Sequence, residues 1–429
     1  MSKQVQGTGL PSATHGSAKR WFRGNLHMHS LWSDGFIFPE LAAERFKTAG
    51  YHFIAFTEHN CFQEGEKWIS TDTDTKTGKL LEESGFLKAY QERFGKVWVE
   101  RARCAGQAGL LLKPLKEYRA LFEEPERFLI MNGEEVTLST PHTRHWVNVI
   151  NAPAPLGDLQ VDAPPAAAMN HLAGLARRTE REQKRPILVS LNHPNYGWNA
   201  TAEDIVAATA VHCFEIHTAL NCTWSYGDET HPGAERLWDI VLAKRLSESD
   251  RSLVYGIATD DCHAYYEHCS LPNHQHGASM PCRAWIMVRA EQLTPDSLIT
   301  AISSGKFYSS TGVTLAELAC ADGAIRLRIA GQPGVQYVTR FIGTRRGADL
   351  RGLLSAAHDR ITGKYSSAIG EVLAEISGAE ARYTFRGDEL YVRAVIVSSA
   401  PHLNPTIPGD VMKAWTQPVV PQLLDRDTT

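Results

Sequence analysis

The sequence predicts an α/β protein followed by a smaller all-β region. Three observations carry that expectation. Short apolar runs alternate with amphipathic helical segments from about residue 24 to residue 310. The helical segments carry start and stop residues where helices need them. After about residue 315 the pattern changes to strand-like alternation with few helical faces. Strands alternating with helices imply a parallel sheet, open or closed. At 429 residues the chain exceeds one ordinary core, which points to two domains or one large barrel with additions.

The first twenty residues are polar, lack an apolar core segment and read as a disordered tail rather than a secretory signal. A helix after Pro39 sets Leu41, Ala42, Phe46 and Ala49 on one face. Tyr51–Phe56 reads as a buried strand. Residues 61–127 form a long charged insertion, expected to be helical; it either caps a site or is a solvated excursion. Within it Leu115, Tyr118, Leu121 and Phe122 share a helical face. Further buried strands are expected at Phe128–Met131, Trp146–Ile150, Pro186–Leu191, Cys213–Ile216 and Leu253–Ala258. Residues 153–165, rich in Pro and Ala, read as loop. Thr294 and Pro295 start a helix as N-cap and first helical residue, and Gly305 ends it. Ile325–Ile329, Val335–Ile342, Ala381–Phe385 and Leu390–Val397 supply the all-β region. The expected division is a tail at 1–20, an α/β domain at 21–314 and an all-β accessory domain at 315–429.

Composition excludes several function classes. Hydrophobic residues make up 43% and charged residues 21%, ordinary for a soluble globular chain. The formal net charge of −4 gives no bulk positive field to recruit nucleic acid. No run of apolar residues is long enough to span a membrane. None of the eight Cys forms a Cys-x-x-Cys pair, so reduced thiols and a cytoplasmic location are expected. A small molecule is the expected partner, and self-association stays open.

The chemistry lies at the strand ends. His27 and His29 are two apart, so an extended segment points both to one side, and Asp34 follows on the next loop. Alone, such a pair arises easily among 18 His. Yet most expected strands end in a similar group. Glu58-His59 follows one, and Glu134-Glu135 another. His145 begins a third. Asn192-His193 and Asp260-Asp261-Cys262-His263 follow two more. In α/β barrels the C-terminal strand ends converge on one mouth. Imidazole with carboxylate suits Zn, Mn or Fe. Nine such ligands fit two or three divalent ions, which would lower the pKa of bound water and supply a bridging hydroxide as nucleophile.

These residues carry a resemblance. His-x-His with Ser-Asp-Gly, Thr-Glu-His-Asn, Gly-x-Glu-Val, Asn-His-Pro and Asp-x-His together resemble the PHP (polymerase and histidinol phosphatase) metallohydrolase domain, over roughly residues 21–314. Gly305–Gly312 and Ala258–His263 are similar to the branch named for carbaryl hydrolase. The resemblance implies a distorted (β/α)7 barrel. It also implies metal-ligand roles for His27, His29, Asp34, His59, Glu135, His145, His193, Asp261 and His263. One departure stands out: Glu58 occupies the place of the family's usual Asp, as an acid orienting a ligand His.

Other polar residues have two readings each. Asp261 is an expected catalytic group as a ligand beside the nucleophile. His217 is either a general acid or a hydrogen-bonded structural His. Arg144 and Arg283 either clamp a phosphate or carboxylate or form surface ion pairs. Trp32 and Trp198 either wall a pocket or pack in the core. Trp238 reads as core, and Tyr308 as part of barrel closure. The expected function is a multinuclear metal-dependent hydrolase, first as a phosphoesterase on a small molecule or nucleotide. An aryl ester or carbamate hydrolase and a non-catalytic metal-binding module are the alternatives.

Overall fold

The computed structural model describes residues 19–104, 107–247, 252–265, 280–353 and 364–421. The expected tail thus lies outside the described residues up to residue 18. The protein is mixed α/β, built on one large sheet. In chain order its main strands are β1 (Arg20–Asn25), β2 (Phe53–His59), β3 (Leu129–Ser139), β4 (Arg144–Ile150), β5 (Leu188–Leu191), β6 (Cys213–Thr218) and β7 (Tyr255–Thr259). They continue with β8 (Trp285–Ala290), β9 (Phe307–Ser310), β10 (Tyr337–Arg345), β11 (Glu371–Ser377), β12 (Glu389–Pro401) and β13 (Val411–Thr416). The hydrogen-bonded order is β7-β6-β5-β4-β3-β2-β1-β8-β9-β13-β12-β10-β11, with Leu159–Gln160 pairing beside β3.

The sheet is not wholly parallel, which corrects the sequence expectation. β1, β2 and β3 are parallel, as are β5, β6 and β7. β4 runs antiparallel to both β3 and β5. The cause is local. Only residues 140–143 separate β3 from β4, too few for a crossover, and Thr140 and Thr143 bond each other across the turn.

Strand alternation divides the apolar side chains between two sides. One cluster takes Leu26 just past β1, then Ala55, Met131, Ile150, Leu188, Cys213 and Ile257 from β2 to β7 in turn. Leu298 and Ile302 of the helix at Pro295–Ser303 join that cluster. Thr294 caps this helix by accepting from the Ser297 N–H at 3.3 Å. The other face of β2 and β3 presents Ile54, Phe56 and Ile130 to helices at Pro39–Thr48 and Leu115–Phe122. On the far side, helices at Pro165–Gln183 and Ala234–Ser247 bury Met169, Leu172, Trp238 and Val241. Trp238 is core, with its indole N–H donating to the Val254 carbonyl.

Beyond β1 the chain stays extended, and Met28 makes an isolated parallel bridge with Cys262, just past β7. The segments just past β1 and β7 therefore meet at this bridge. Ser309 of β9 adds a tie, accepting from the Ala258 N–H and donating to the Gly256 carbonyl. Tyr308 is fully buried and holds the Leu315 N–H.

The strands after residue 314 continue the large sheet through the pairing of β9 with β13. Leu315–Ala321, Ala324–Ile329 and Glu380–Thr384 form a separate three-stranded sheet packed on it. The insertion at 61–127 contains helices at Lys76–Ser84, Phe86–Trp98 and Leu115–Phe122 and a small three-stranded sheet.

Candidate metal centre

Two short extended segments make the floor of the centre. His29 N–H donates to the Cys262 carbonyl at 3.0 Å, and Asp261 N–H donates to the His27 carbonyl at 3.1 Å. The bridge turns Met28 and Cys262 into the core and leaves His27, His29, Asp261 and His263 on the other side. The loop after His29 folds tightly: a Cβ on Gly35 would lie 2.5 Å from the His29 backbone, so only glycine fits there. That loop carries Asp34, and the Phe36 N–H ties it to the His263 carbonyl.

The remaining donors arrive from other strand ends. β2 brings His59, whose Nδ1 lies 3.0 Å from Glu135 Oε2 of β3. The turn after β5 brings His193, two residues past Leu191; its Nε2 lies 3.1 Å from Glu135 Oε1. His193 and Asp261 both have positive φ, 21° and 48°. Non-glycine residues pay for that conformation, and such strain clusters at functional sites.

Eight of the nine expected ligands come together in three overlapping groups. His29, Asp34, His59 and His263 form one; His27, His29 and Asp261 the second; His27, Glu135 and His193 the third. Within each group the donor atoms lie within 4.8 Å of one another. His27 and His29 are shared between groups, and their Nε2 atoms are 3.2 Å apart. Each also lies 3.2–3.4 Å from oxygens of both Glu135 and Asp261.

The donors fit metal ions. One proton cannot serve two facing ring nitrogens and four carboxylate contacts, whereas cations between them would engage every lone pair. His193 Nδ1 is buried with no hydrogen-bond partner among the described residues. The field has the same sign. Burial opposes charge on His27, but Asp261, Glu215 and Glu135 outweigh it and raise its pKa. Despite burial, Glu135 and Asp34 raise His59 to about 9, and Asp34 and Asp261 raise His263 to about 10. Burial, with the neighbouring His263 and His59, lowers His29 instead. The carboxylates thus draw positive charge to His27, His59 and His263, as protons or as metal.

Supporting residues fix the ligands. Glu215, which the sequence reading passed over, accepts from His27 Nδ1 at 2.7 Å, the His193 N–H at 2.9 Å, and the Thr218 and Thr259 hydroxyls at 2.7 Å. Its one sequence signal is an acid inside the apolar run Cys213–Ile216. Asn192 donates to Glu135 Oε1 at 2.8 Å. Glu58 reaches a ligand through an intermediary: it accepts from Ser33, whose hydroxyl lies 3.2 Å from His29 Nδ1. Glu134 points away and holds the backbone N–H groups of Leu156 and Gly157.

Several expected site residues lie elsewhere. His145 is outside the three groups; its Nε2 meets the Thr143 hydroxyl at 2.8 Å. The reason is alternation along β4, where the neighbouring Trp146 takes the cavity side. His217 stacks on Trp415 at 5.6 Å in a different cavity, and burial lowers its pKa to about 4. A bulge between Glu215 and His217 breaks the alternation that would have set both on one face. Arg283 is buried against Asn404 and the Ala219 carbonyl, away from the cavity, and Arg144 is exposed at the start of β4. Trp32 is core, with its indole N–H on the Lys113 carbonyl. Trp198 stacks on His231 and Trp224 and does not line the cavity, whereas Tyr196 does.

Above the donors opens a cavity of about 260 Å³. Trp146, Tyr196, Leu220 and Phe36 supply its apolar wall, and Lys76 of the insertion reaches its edge.

No protein-family model matches the chain, and no curated protein does. Among solved structures, it is similar to a two-domain protein from Bacteroides vulgatus containing a predicted PHP-like metal-dependent phosphoesterase. That match covers 98% of this chain and 100% of the other, at 13% identity and a TM-score of 0.37. PsfC from Pseudomonas syringae aligns over 66% of this chain and 88% of its own, at 13% identity and a TM-score of 0.32. An amidohydrolase from Chromobacterium violaceum aligns over 60% and 92%, at 12% identity and a TM-score of 0.28. Scores this low carry no argument about fold or chemistry, so the centre's own donors must carry the functional reading.

Proposed function

We propose that the protein is a multinuclear metal-dependent hydrolase of the PHP type, acting on a phosphate ester. The observation that supports this most is the set of three donor groups sharing His27 and His29. We read the run β1–β7, closed by the Met28–Cys262 bridge around one apolar cluster, as a distorted seven-stranded barrel with the centre at its mouth.

Bound divalent ions would supply a water acidified to near neutral pKa and a Lewis acid for the ester oxygens. The chain's own residues do the rest. Glu135 and Asp261, each within reach of both His27 and His29, would hold the ions together with them. Glu215 holds the proton on His27 Nδ1, which leaves Nε2 free to ligate. In hydrolysis the water oxygen bonds to phosphorus, the bond to the ester oxygen breaks, and that oxygen leaves with the electron pair and takes up a proton. Five donor residues of the groups, His27, His29, Glu135, His193 and Asp261, are buried, which strengthens electrostatic stabilisation of the charge that develops.

The test is metal analysis and a hydrolysis screen of phosphomonoesters, phosphodiesters, aryl esters and carbamates with Mn, Zn and Fe. Turnover of phosphate esters, with metal and activity both lost in Asp261→Ala, is the expected result. Turnover confined to aryl esters or carbamates would replace the phosphoester reading. Full metal load and activity in Asp261→Ala would overturn the ligand set.

A further inference from the structure

We infer that the mouth selects a phosphate ester carrying a planar aromatic group, with Lys76 reading the phosphate charge and Trp146 and Tyr196 receiving the ring. This rests on the phosphoesterase reading and adds a substrate class to it.

The cavity has two chemically different ends. At the His193 end the wall is aromatic. Trp146 lies 5.5 Å from the His193 ring, Tyr196 also 5.5 Å, and the two meet edge to face at 5.2 Å. A flat group entering there stacks beside a metal ligand. Tyr196 stays 36% exposed. A large ring left partly uncovered in a cavity wall offers a face for a ligand to cover.

At the Asp34–His263 end stands Lys76, the one Lys or Arg lining the cavity among the described residues. Its ammonium lies 5.4 Å from the centre of the Phe36 ring, which also lines the cavity, and forms no ion pair among the described residues. A cation without an acidic partner, over a centre that holds phosphate oxygens, adds affinity for substrate charge that the ions leave uncompensated. Lys76 comes from the insertion at 61–127, the segment expected either to cap a site or to be a solvated excursion, and brings a specificity residue to the mouth.

The experiment titrates metal-loaded full-length protein by calorimetry with phenylphosphonate, whose P–C bond replaces the scissile ester bond, and with inorganic phosphate. Phenylphosphonate is expected to bind about tenfold more tightly than inorganic phosphate. Tyr196→Ala should narrow that gap to about twofold, chiefly by weakening phenylphosphonate. Lys76→Ala should weaken both probes about fivefold, with Lys76→Arg restoring them. Metal content, measured alongside, should be unchanged in all three variants. Equal affinity of the wild type for the two probes, or wild-type affinity in Lys76→Ala, overturns the inference. If the binding pattern holds while no phosphate ester is turned over, the phosphoesterase reading fails and the assignment of the mouth survives.

Discussion

Glu215 accepts from an imidazole, a backbone N–H and two hydroxyls at once, all at 2.7–2.9 Å. Replacing it with Gln keeps the shape but removes the charge that holds the proton on His27 Nδ1. Glu215→Gln is therefore expected to weaken metal binding about 10- to 100-fold while the fold persists. Competition with a chelator of known affinity measures this, and an unchanged metal affinity would show that Glu215 only packs. A paired comparison separates ligands from bystanders. His193→Ala should reduce the metal load, whereas His145→Ala should leave it intact, because His145 is engaged with Thr143 outside the donor groups. Metal analysis of the two variants decides it. Sequence periodicity could find His27, His29, Asp261 and His263 because extended segments alternate regularly. It misplaced His217 because a single bulge reverses alternation within one strand. It also misplaced His145, since alternation tells which residues share a face but not which face looks at the centre.

At the scale of elements, the insertion docks on the helix at Pro39–Thr48 through one buried acid. Glu40 Oε1 accepts from the Tyr90 hydroxyl at 2.8 Å and the Trp98 indole N–H at 3.1 Å, and Oε2 is buried without a hydrogen-bond partner among the described residues. Burial raises the Glu40 pKa from 4.5 to about 7. The sign follows from linkage. The folded state prefers the protonated acid, so this contribution is complete below about pH 4.5 and is lost as pH rises through about 7. At pH 8 the buried charge costs about 3 kcal/mol relative to pH 4. Glu40→Gln should remove that slope and be more stable than the wild type at pH 8. Urea unfolding of both proteins at pH 5 and pH 8 measures it; an equal slope in the two would refute the assignment. The insertion's existence was plain from its charge and length. Its docking was not, because a lone Glu in a helix beginning Pro39-Glu40 looks like ordinary first-turn acid. The strands were legible for the opposite reason: their apolar runs and the groups at their ends are local. The β3–β4 hairpin escaped notice because direction of pairing leaves no local mark beyond the shortness of residues 140–143.

At the scale of the whole molecule, the composition change near residue 315 suggests a separable β unit, but the contacts across it are those of one core. The helix at Ala234–Ser247 is buried on both sides: Trp238 packs in the cluster under β6, and Asp239 faces β12. Asp239 accepts from Arg393 Nε at 2.8 Å, Arg393 Nη2 at 2.6 Å and the Tyr391 hydroxyl at 2.8 Å. The Arg393 side chain is 1% exposed, and its guanidinium lies 4.8 Å from the centre of the Trp238 ring. Removing Asp239 leaves the buried Arg393 charge with Glu235 as its remaining acidic partner among the described residues. Asp239→Ala should therefore cost about 3–5 kcal/mol. If β9–β13 pairing and this helix make one cooperative unit, the loss appears as a shift of a single transition. Near-UV circular dichroism and release of metal to a chromogenic chelator should then coincide along a denaturant series, in the variant as in the wild type. Loss of the tertiary signal at lower denaturant than metal release would mean that the C-terminal strands unfold alone. The centre would then not depend on them.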